Sequence, residues 1–206
     1  MNIDHYIDQA LRSETPTQVI IGDRGAIALI VEVLIAAGAL ADLLKKQVIY
    51  GKPITQGALL TALSLVRDTC ASAESHRFAP EIQHVETRWH PRLFHAALGG
   101  VGEWTELLEA LLEDAEDDRP LDLVNAVEEV GDSAWYLALA LDALRESELA
   151  VPPNITLETN VRKLMKRYPD RFTLEESERR DVGGERAVIE GSALRVEIDS
   201  DGGTHD

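Results

Sequence analysis

The chain has 206 residues, enough for one domain or one domain with appended elements. A formal net charge of −17 repels phosphate backbones and argues against nucleic-acid binding, but a divalent cation can still bridge carboxylates to a small phosphorylated ligand. Apolar residues make up 45% and aromatics 5%, which predicts an aliphatic core, and the single cysteine, Cys70, excludes an internal disulfide and a Cys-rich zinc site.

Residues 4–12 read as a short helix, and the opening MNIDHYIDQALRSE lacks the basic and apolar regions of a secretory signal. Gly22-Asp23-Arg24 marks a turn. Residues 25–47 read as a strongly apolar helix. Glu32 and Asp42 interrupt it, which favours a buried core helix over a membrane span. The expectation is a soluble cytoplasmic protein with no membrane partner. Tyr50-Gly51-Lys52-Pro53 breaks this helix, and Thr55 is placed to cap the next, which runs to about Ala73.

Pro91 suits the first turn of a long helix reaching about Glu113. The acidic stretch 114–120 (DAEDDRP) reads as a loop, followed by a helix from about Asp122 to Arg145. Pro152-Pro153 reads as a linker, and residues 155–167 as a helix ended by Tyr168-Pro169. Beyond about Ser177 the pattern decays. Ala187–Asp199 reads as a weak hairpin around Gly191-Ser192 or as disordered chain. The predicted fold is all-α, a multi-helix bundle with a poorly ordered or hairpin-like acidic tail.

Two consecutive helices carry paired acids. On the first, Ala97, Val101, Trp104, Leu108 and Leu111 form an apolar stripe, and Glu103 and Glu106 project together, ~60° apart around the axis. On the second, Val127, Val130, Ala134, Leu137 and Leu141 form the stripe, with Glu129 and Asp132 off it. A short loop predicts antiparallel neighbours, so the four carboxylates can converge. Like charges held together need a cation or protons, and hard oxygen ligands suit Mg²⁺ or Mn²⁺. Taken alone, each pair is equally a solvated helix face. Gly99, Gly100, Gly102 and Gly131 each cost about 1 kcal/mol relative to Ala inside a helix. A close helix crossing or a nearby ligand would explain them.

The strings HAALGGVGEWTELLEALLED, LDLVNAVEEVGDSAWYLALALDAL and NVRKLMKRYPDRFT resemble the MazG-like enzymes, which belong to the all-α nucleoside triphosphate pyrophosphohydrolases. The resemblance covers about residues 90–174, and E-E-x-G-D-x-x-W-Y-L-A and K-x-x-x-R-Y-P-x-x-F are its selective parts. It implies that Glu103, Glu106, Glu129 and Asp132 hold Mg²⁺, with Mn²⁺ as substitute. It implies that Asn160, Lys163, Arg167 and Tyr168 hold the triphosphate or sugar of a nucleoside triphosphate, which is split to monophosphate and pyrophosphate. It also implies a homo-oligomer, dimer or tetramer. Asn160, Lys163 and Arg167 share a helix face, although a solvated basic face has the same spacing. Tyr136, four after Asp132, is placed either to bond a ligand carboxylate or to pack as an ordinary tyrosine. Trp89, His90, His95 and Trp104 are candidate base contacts.

Many phage-type relatives place a Y-G-K-P string between the two acidic helices. Here it stands at Tyr50–Pro53, which makes Lys52 a further candidate phosphate contact. At an offset of 64 residues, Gly38 aligns with Gly102, Asp42 with Glu106, Val66 with Val130 and Asp68 with Asp132. Ala39 and Leu65 stand at the positions of Glu103 and Glu129. The chain is therefore divided into a helical region 1–80, in which 25–73 reads either as a degenerate copy of the catalytic helix pair or as an unrelated helical pair packing on the core, a catalytic region 81–176 and an acidic tail 177–206. In the former arrangement Lys45, Lys46 or Lys52 would reach the live site. The competing functions are a catalytically weak nucleotide-binding regulator and a helical interaction protein.

Overall fold

The computed structural model describes residues 2–14, 20, 22–77, 90–117 and 120–201. Among these the chain is all-α, with eight helices and no strand. It forms two compact units, Val19–Arg88 and Met1–Gln18 together with Trp89–Asp206.

The Val19–Arg88 unit is a helical hairpin of α2 (Arg24–Val48) and α3 (Gln56–Ser75). Asp23 caps α2 by accepting from the amides of Gly25 and Ala26 at 2.8 and 3.1 Å. Its other oxygen lies 3.2 Å from the His76 ring just past α3, so the two helices run antiparallel. Gly51 adopts φ +66°, the left-handed stop in which Lys52 N–H bonds back to Lys46 at 3.0 Å. Thr55 caps α3 through Ala58 N–H at 3.2 Å. The glycine of the Tyr50–Pro53 string thus ends a helix.

The expected burial of α2 is not found. Ala26 and Ala36 are its buried residues, while Ile35 and Val48 stand 66% and 67% exposed. The helix is apolar around most of its circumference, and α3 covers one side of it. By length and composition α2 is also long and apolar enough to cross a membrane.

The other unit contains α1 (Ile3–Ala10), α4 (Pro91–Asp117), α5 (Leu123–Arg145), α6 (Pro153–Arg167), α7 (Leu174–Glu178) and α8 (Val182–Asp201). Residues 1–18 therefore group with the later helices rather than with the rest of 1–80. Ile7 of α1 is fully buried against Ala138 and Leu141 of α5. The Trp135 indole N–H donates to Ala10 O at 2.8 Å.

α4 and α5 form the principal helix pair, and Asp122 caps α5 through Val124 and Asn125 N–H. Arg92 on the first turn of α4 meets the last turns of α5, which makes the pair antiparallel. Its guanidinium is 7% exposed and bonds Glu14 at 2.7 and 2.8 Å, Asp142 at 2.7 Å and Glu146 at 2.6 Å. α4 extends to Asp117, past the expected stop near Glu113. α6 starts at Pro153, because proline at a first helical position sacrifices no hydrogen bond.

The apolar stripes are buried unevenly: Leu141 is 2% exposed, whereas Trp104, Leu108, Val127 and Leu137 are 52%, 60%, 74% and 50% exposed. The face turned inward carries Ala96, Glu129, Ser133 and the ring of Tyr136 instead. In the acidic tail, Val182–Asp201 is helical and no strand occurs among the described residues. Asp181 accepts from Gly184 N–H at 2.9 Å, Arg186 pairs with Glu190 one turn on at 2.6 Å, and α8 packs chiefly on α6.

Removing Arg92 would leave the buried Asp142, which is 5% exposed, with Arg145 as its remaining partner on one oxygen, and would release Glu14. Arg92→Ala should destabilise the protein by about 3 kcal/mol in chemical denaturation, since it takes the shared cation from three carboxylates that Arg145 answers only in part. A loss near zero would show that the cluster does not anchor the helix pair.

Candidate functional site

The α4–α5 pair brings one carboxylate oxygen from each of Glu103, Glu106 and Glu129 within 4.8 Å of the other two. Glu129 is 6% exposed, Glu103 half-buried and Glu106 exposed. Burial pushes the Glu129 carboxyl above its ordinary range, and the charge of Glu106 and a hydrogen bond to Glu103 push it further. Among the described residues no lysine or arginine pairs with any of these three acids or with Asp132. One turn after Glu129, the buried Ser133 hydroxyl has no hydrogen-bond partner among the described residues.

Asp132, the fourth predicted acid, is exposed and lies outside the three-carboxylate cluster. It lines a cleft of about 300 Å³ with Glu103, Ser13, Trp135 and Tyr136. Glu103 is thus common to both. Tyr136 has its phenol pKa raised by burial and then by the charges of Glu103, Asp132 and Glu106. Among the described residues it makes no hydrogen bond to a carboxylate. Its ring instead lies on the α4 backbone, where a Cβ on Gly99 would sit 1.9 Å from a ring carbon. This explains Gly99 as a close approach between helices. Gly102 and Gly131 face open space within 4 Å, and the close-crossing explanation does not extend to them.

His95, Trp135 and Tyr136 meet edge-to-face with centroids 5.0–5.8 Å apart. Of the candidate base contacts, His95 joins this aromatic group. His90 sits at the start of α4, and Trp104 points out 52% exposed. Trp89 lies outside the described residues. Sequence reasoning did not single out Trp135, although its spacing of three from Asp132 puts both on one face. Ser13 carries no such signal, because a segment distant in sequence delivers it.

The basic trio is divided. Asn160 and Lys163 line a mostly apolar cleft of about 290 Å³ with Leu144, Val151 and Ile189, and Lys163 has no ion pair among the described residues. Arg167 is held by Glu185 of α8, with its Nε 2.6 Å from one carboxylate oxygen and a terminal nitrogen on the other. Arg180 Nε adds a contact at 3.2 Å, and Glu185 is 4% exposed. Both arginines hold the Glu185 carboxyl below its ordinary range. Tyr168 lies against Arg167, 5.7 Å from ring centroid to guanidinium carbon, and against Phe172 at 5.1 Å. Lys45 and Lys46 pair with Asp42 of their own helix at 2.6 and 2.5 Å, and Lys52 lies in the other unit, between α2 and α3.

Comparison with known proteins finds no matching family model, no matching curated sequence and no matching solved structure.

A pH dependence follows from the Glu185 contact. A carboxylate with a lowered folded-state pKa stabilises its contact above the unfolded value, and that contribution is lost as pH falls through the folded value. Arg167 and Arg180 face Glu185, with Lys166, Glu176, Arg179 and Asp181 around the same pocket. Asp181, also lowered through Gly184 N–H and Lys166, acts in the same direction. Below the ordinary glutamate value of 4.5 the α8 amides should lose hydrogen-exchange protection before those of α5. Glu185→Gln should flatten this difference, and an unchanged profile in that variant would refute the assignment.

Proposed function

We propose that the protein is a Mg²⁺-dependent nucleotide pyrophosphohydrolase that converts a nucleoside or deoxynucleoside triphosphate to its monophosphate and pyrophosphate, in cytoplasmic nucleotide-pool control. The observation that carries this reading is the convergence of Glu103, Glu106 and Glu129 with no cation among the described residues to balance them. The resemblance of residues 90–174 to MazG-like enzymes supplies the reaction.

The donors fit the metal: the cluster is all carboxylate, the set preferred by Mg²⁺, with Mn²⁺ as substitute. No histidine follows Glu103 or Glu129 at a spacing of three, so these acids do not carry the Glu-x-x-His pattern of di-iron bundles. Glu103, Glu106, Glu129 and Asp132 would hold the ion. When bound, it would neutralise phosphate oxygens and lower the pKa of water. Asp132 is the acid least committed to the cluster and lines the open cleft beside Glu103, so it is placed to orient or deprotonate the attacking water. The rings of Trp135 and Tyr136 offer the same cleft an apolar wall for a base. Asn160, Lys163, Arg167 and Tyr168 would bind the phosphates or sugar, with the two cations countering charge that develops in the transition state.

The exposed face of Trp104, Leu108, Val127 and Leu137 supports a homo-oligomer, dimer or tetramer, since apolar surface of this kind is ordinarily covered. A second reading, a helical interaction protein, is favoured by the exposed large side chains of α2.

Incubation with Mg²⁺ and a panel of triphosphates should release monophosphate and pyrophosphate in equal amounts. Asp132→Asn and Glu129→Gln should each lower kcat by about a hundredfold or more while helicity is retained. Near wild-type turnover in either variant at saturating Mg²⁺ would remove that residue from the site. Absence of product across the whole panel would favour the interaction reading.

A further inference from the structure

α6 presents Asn160, Lys163 and Arg167 at spacings of three and four, and α8 packs on the helix that carries them. Ile189 of α8 walls the cleft lined by Asn160 and Lys163. One turn earlier on α8, Glu185 takes both sides of the Arg167 guanidinium and a contact from Arg180. The residues that the proposed function assigns to phosphate and sugar thus lie along the packing surface of a C-terminal helix.

The chemistry of that contact is the chemistry of phosphate binding. A planar guanidinium presents a fork of N–H donors that matches a carboxylate or a phosphate with two parallel bonds. Glu185 meets Arg167 in this two-oxygen manner through Nε and one terminal nitrogen, and it is 4% exposed, so that edge of the guanidinium is occupied. The pocket of about 170 Å³ at this contact is lined by three cations, Lys166, Arg167 and Arg179, and three acids, Glu176, Asp181 and Glu185, so removing Glu185 leaves it with net positive charge. Asp181 offers a second carboxylate to Lys166 at 3.6 Å.

In the first turns of α8 the hydrogen-bonded hold is ionic. Val182 and Ile189 remain 60% and 49% exposed, so little apolar surface is buried at its first turns. Gly183 and Gly184 stand in the first turn and Gly191 further along, each costing about 1 kcal/mol of helix stability relative to Ala. A Cβ on Gly184 would fall 2.0 Å from Asp181 Oδ2 and 2.2 Å from Lys166 Nζ, so the ion pair occupies the space that a side chain would need. A weak helix attached through charge is the kind of element that opens locally while the rest stays folded.

We propose that α8 is a displaceable latch in which Glu185 stands in for a phosphate group on Arg167, and that a polyphosphate anion releases it. This rests on reading Arg167 as a phosphate contact of the proposed enzyme. With α8 docked, Arg167 is occupied and Ile189 closes one side of the Asn160–Lys163 cleft. With α8 released, the three α6 residues share one open face with Lys166. A triphosphate carries more charge than the Glu185 carboxylate and can take the arginine fork with several oxygens. A tethered group has the advantage of effective concentration, of the order of millimolar for a short flexible link, so the latch sets a concentration threshold for the anion rather than blocking it.

The test uses the full chain with inorganic tripolyphosphate and Mg²⁺ as probe. In the wild type, saturating tripolyphosphate should accelerate hydrogen exchange of the 182–191 amides and leave the α5 amides protected. Glu185→Gln keeps the side-chain shape and removes the charge. It should raise α8 exchange without probe and bind tripolyphosphate several-fold tighter, because a charged hydrogen bond is roughly twice as strong as a neutral one. Adding Arg167→Ala to Glu185→Gln should abolish that gain. Unchanged or slowed α8 exchange on binding, equal or weaker binding by Glu185→Gln, or no detectable binding by either protein would each overturn the latch. Triphosphate turnover in parallel separates the two claims. Turnover with a KM unaffected by Glu185→Gln sinks the latch alone. Tighter tripolyphosphate binding without turnover of any nucleotide sinks the enzyme reading and leaves the anion latch in place.

Discussion

A buried carboxylate placed against two others must be compensated, and the α4–α5 pair is organised around that requirement at both ends. Near the start of α4, Glu14, Asp142 and Glu146 converge on Arg92, which bonds all three, and Arg145 adds a second cation on Asp142. Farther along the same helices, Glu103, Glu106 and Glu129 converge and no cation among the described residues answers them. The first cluster is closed, and its consequence is rigidity. The second is open, so its charge must be met by protons or by an ion from solvent. The raised pKa of Glu129 is the response when burial and like charges act alone.

The N-terminal segment ties these clusters together. Ile7 is buried against α5, Trp135 bonds Ala10, Glu14 grips Arg92, and Ser13 enters the cleft beside Glu103 and Asp132. The aromatic wall of that cleft is thereby fixed from two sides: Trp135 by the N-terminal segment and Tyr136 by the bare backbone of Gly99. Holding a site within a small tolerance requires such support from neighbouring elements.

Much of this was legible in the sequence. Thr55 as a cap, Pro91 as a helix start, the antiparallel acidic pair and the convergence of three of its four acids follow from local signals that depend on neighbours within a turn. Periodicity, however, identifies residues that share a face and not the face that finds a partner. The stripes of Val101–Leu111 and Val127–Leu137 were legible, whereas their exposure and the inward turn of Glu129 were not. The burial of α2 was misjudged for a related reason, since a helix apolar around most of its surface does not reveal how many neighbours it has. The Arg167–Glu185 pair joins the end of the motif-bearing helix to a tail whose glycines and acids read as solvated chain, and no spacing rule connects them. Ser13 and Glu14 were invisible for the same reason: their partners lie far along the chain.

The central claim, that the open carboxylate cluster is a divalent-cation site, is tested most directly by titrating Mn²⁺ into the protein at neutral pH and following the free-ion signal by electron paramagnetic resonance. The account predicts saturable binding that Mg²⁺ displaces and that Glu129→Gln weakens by about tenfold or more, the loss of one charged ligand. Binding of equal strength in the wild type and in Glu129→Gln, or none at millimolar Mn²⁺, would contradict it.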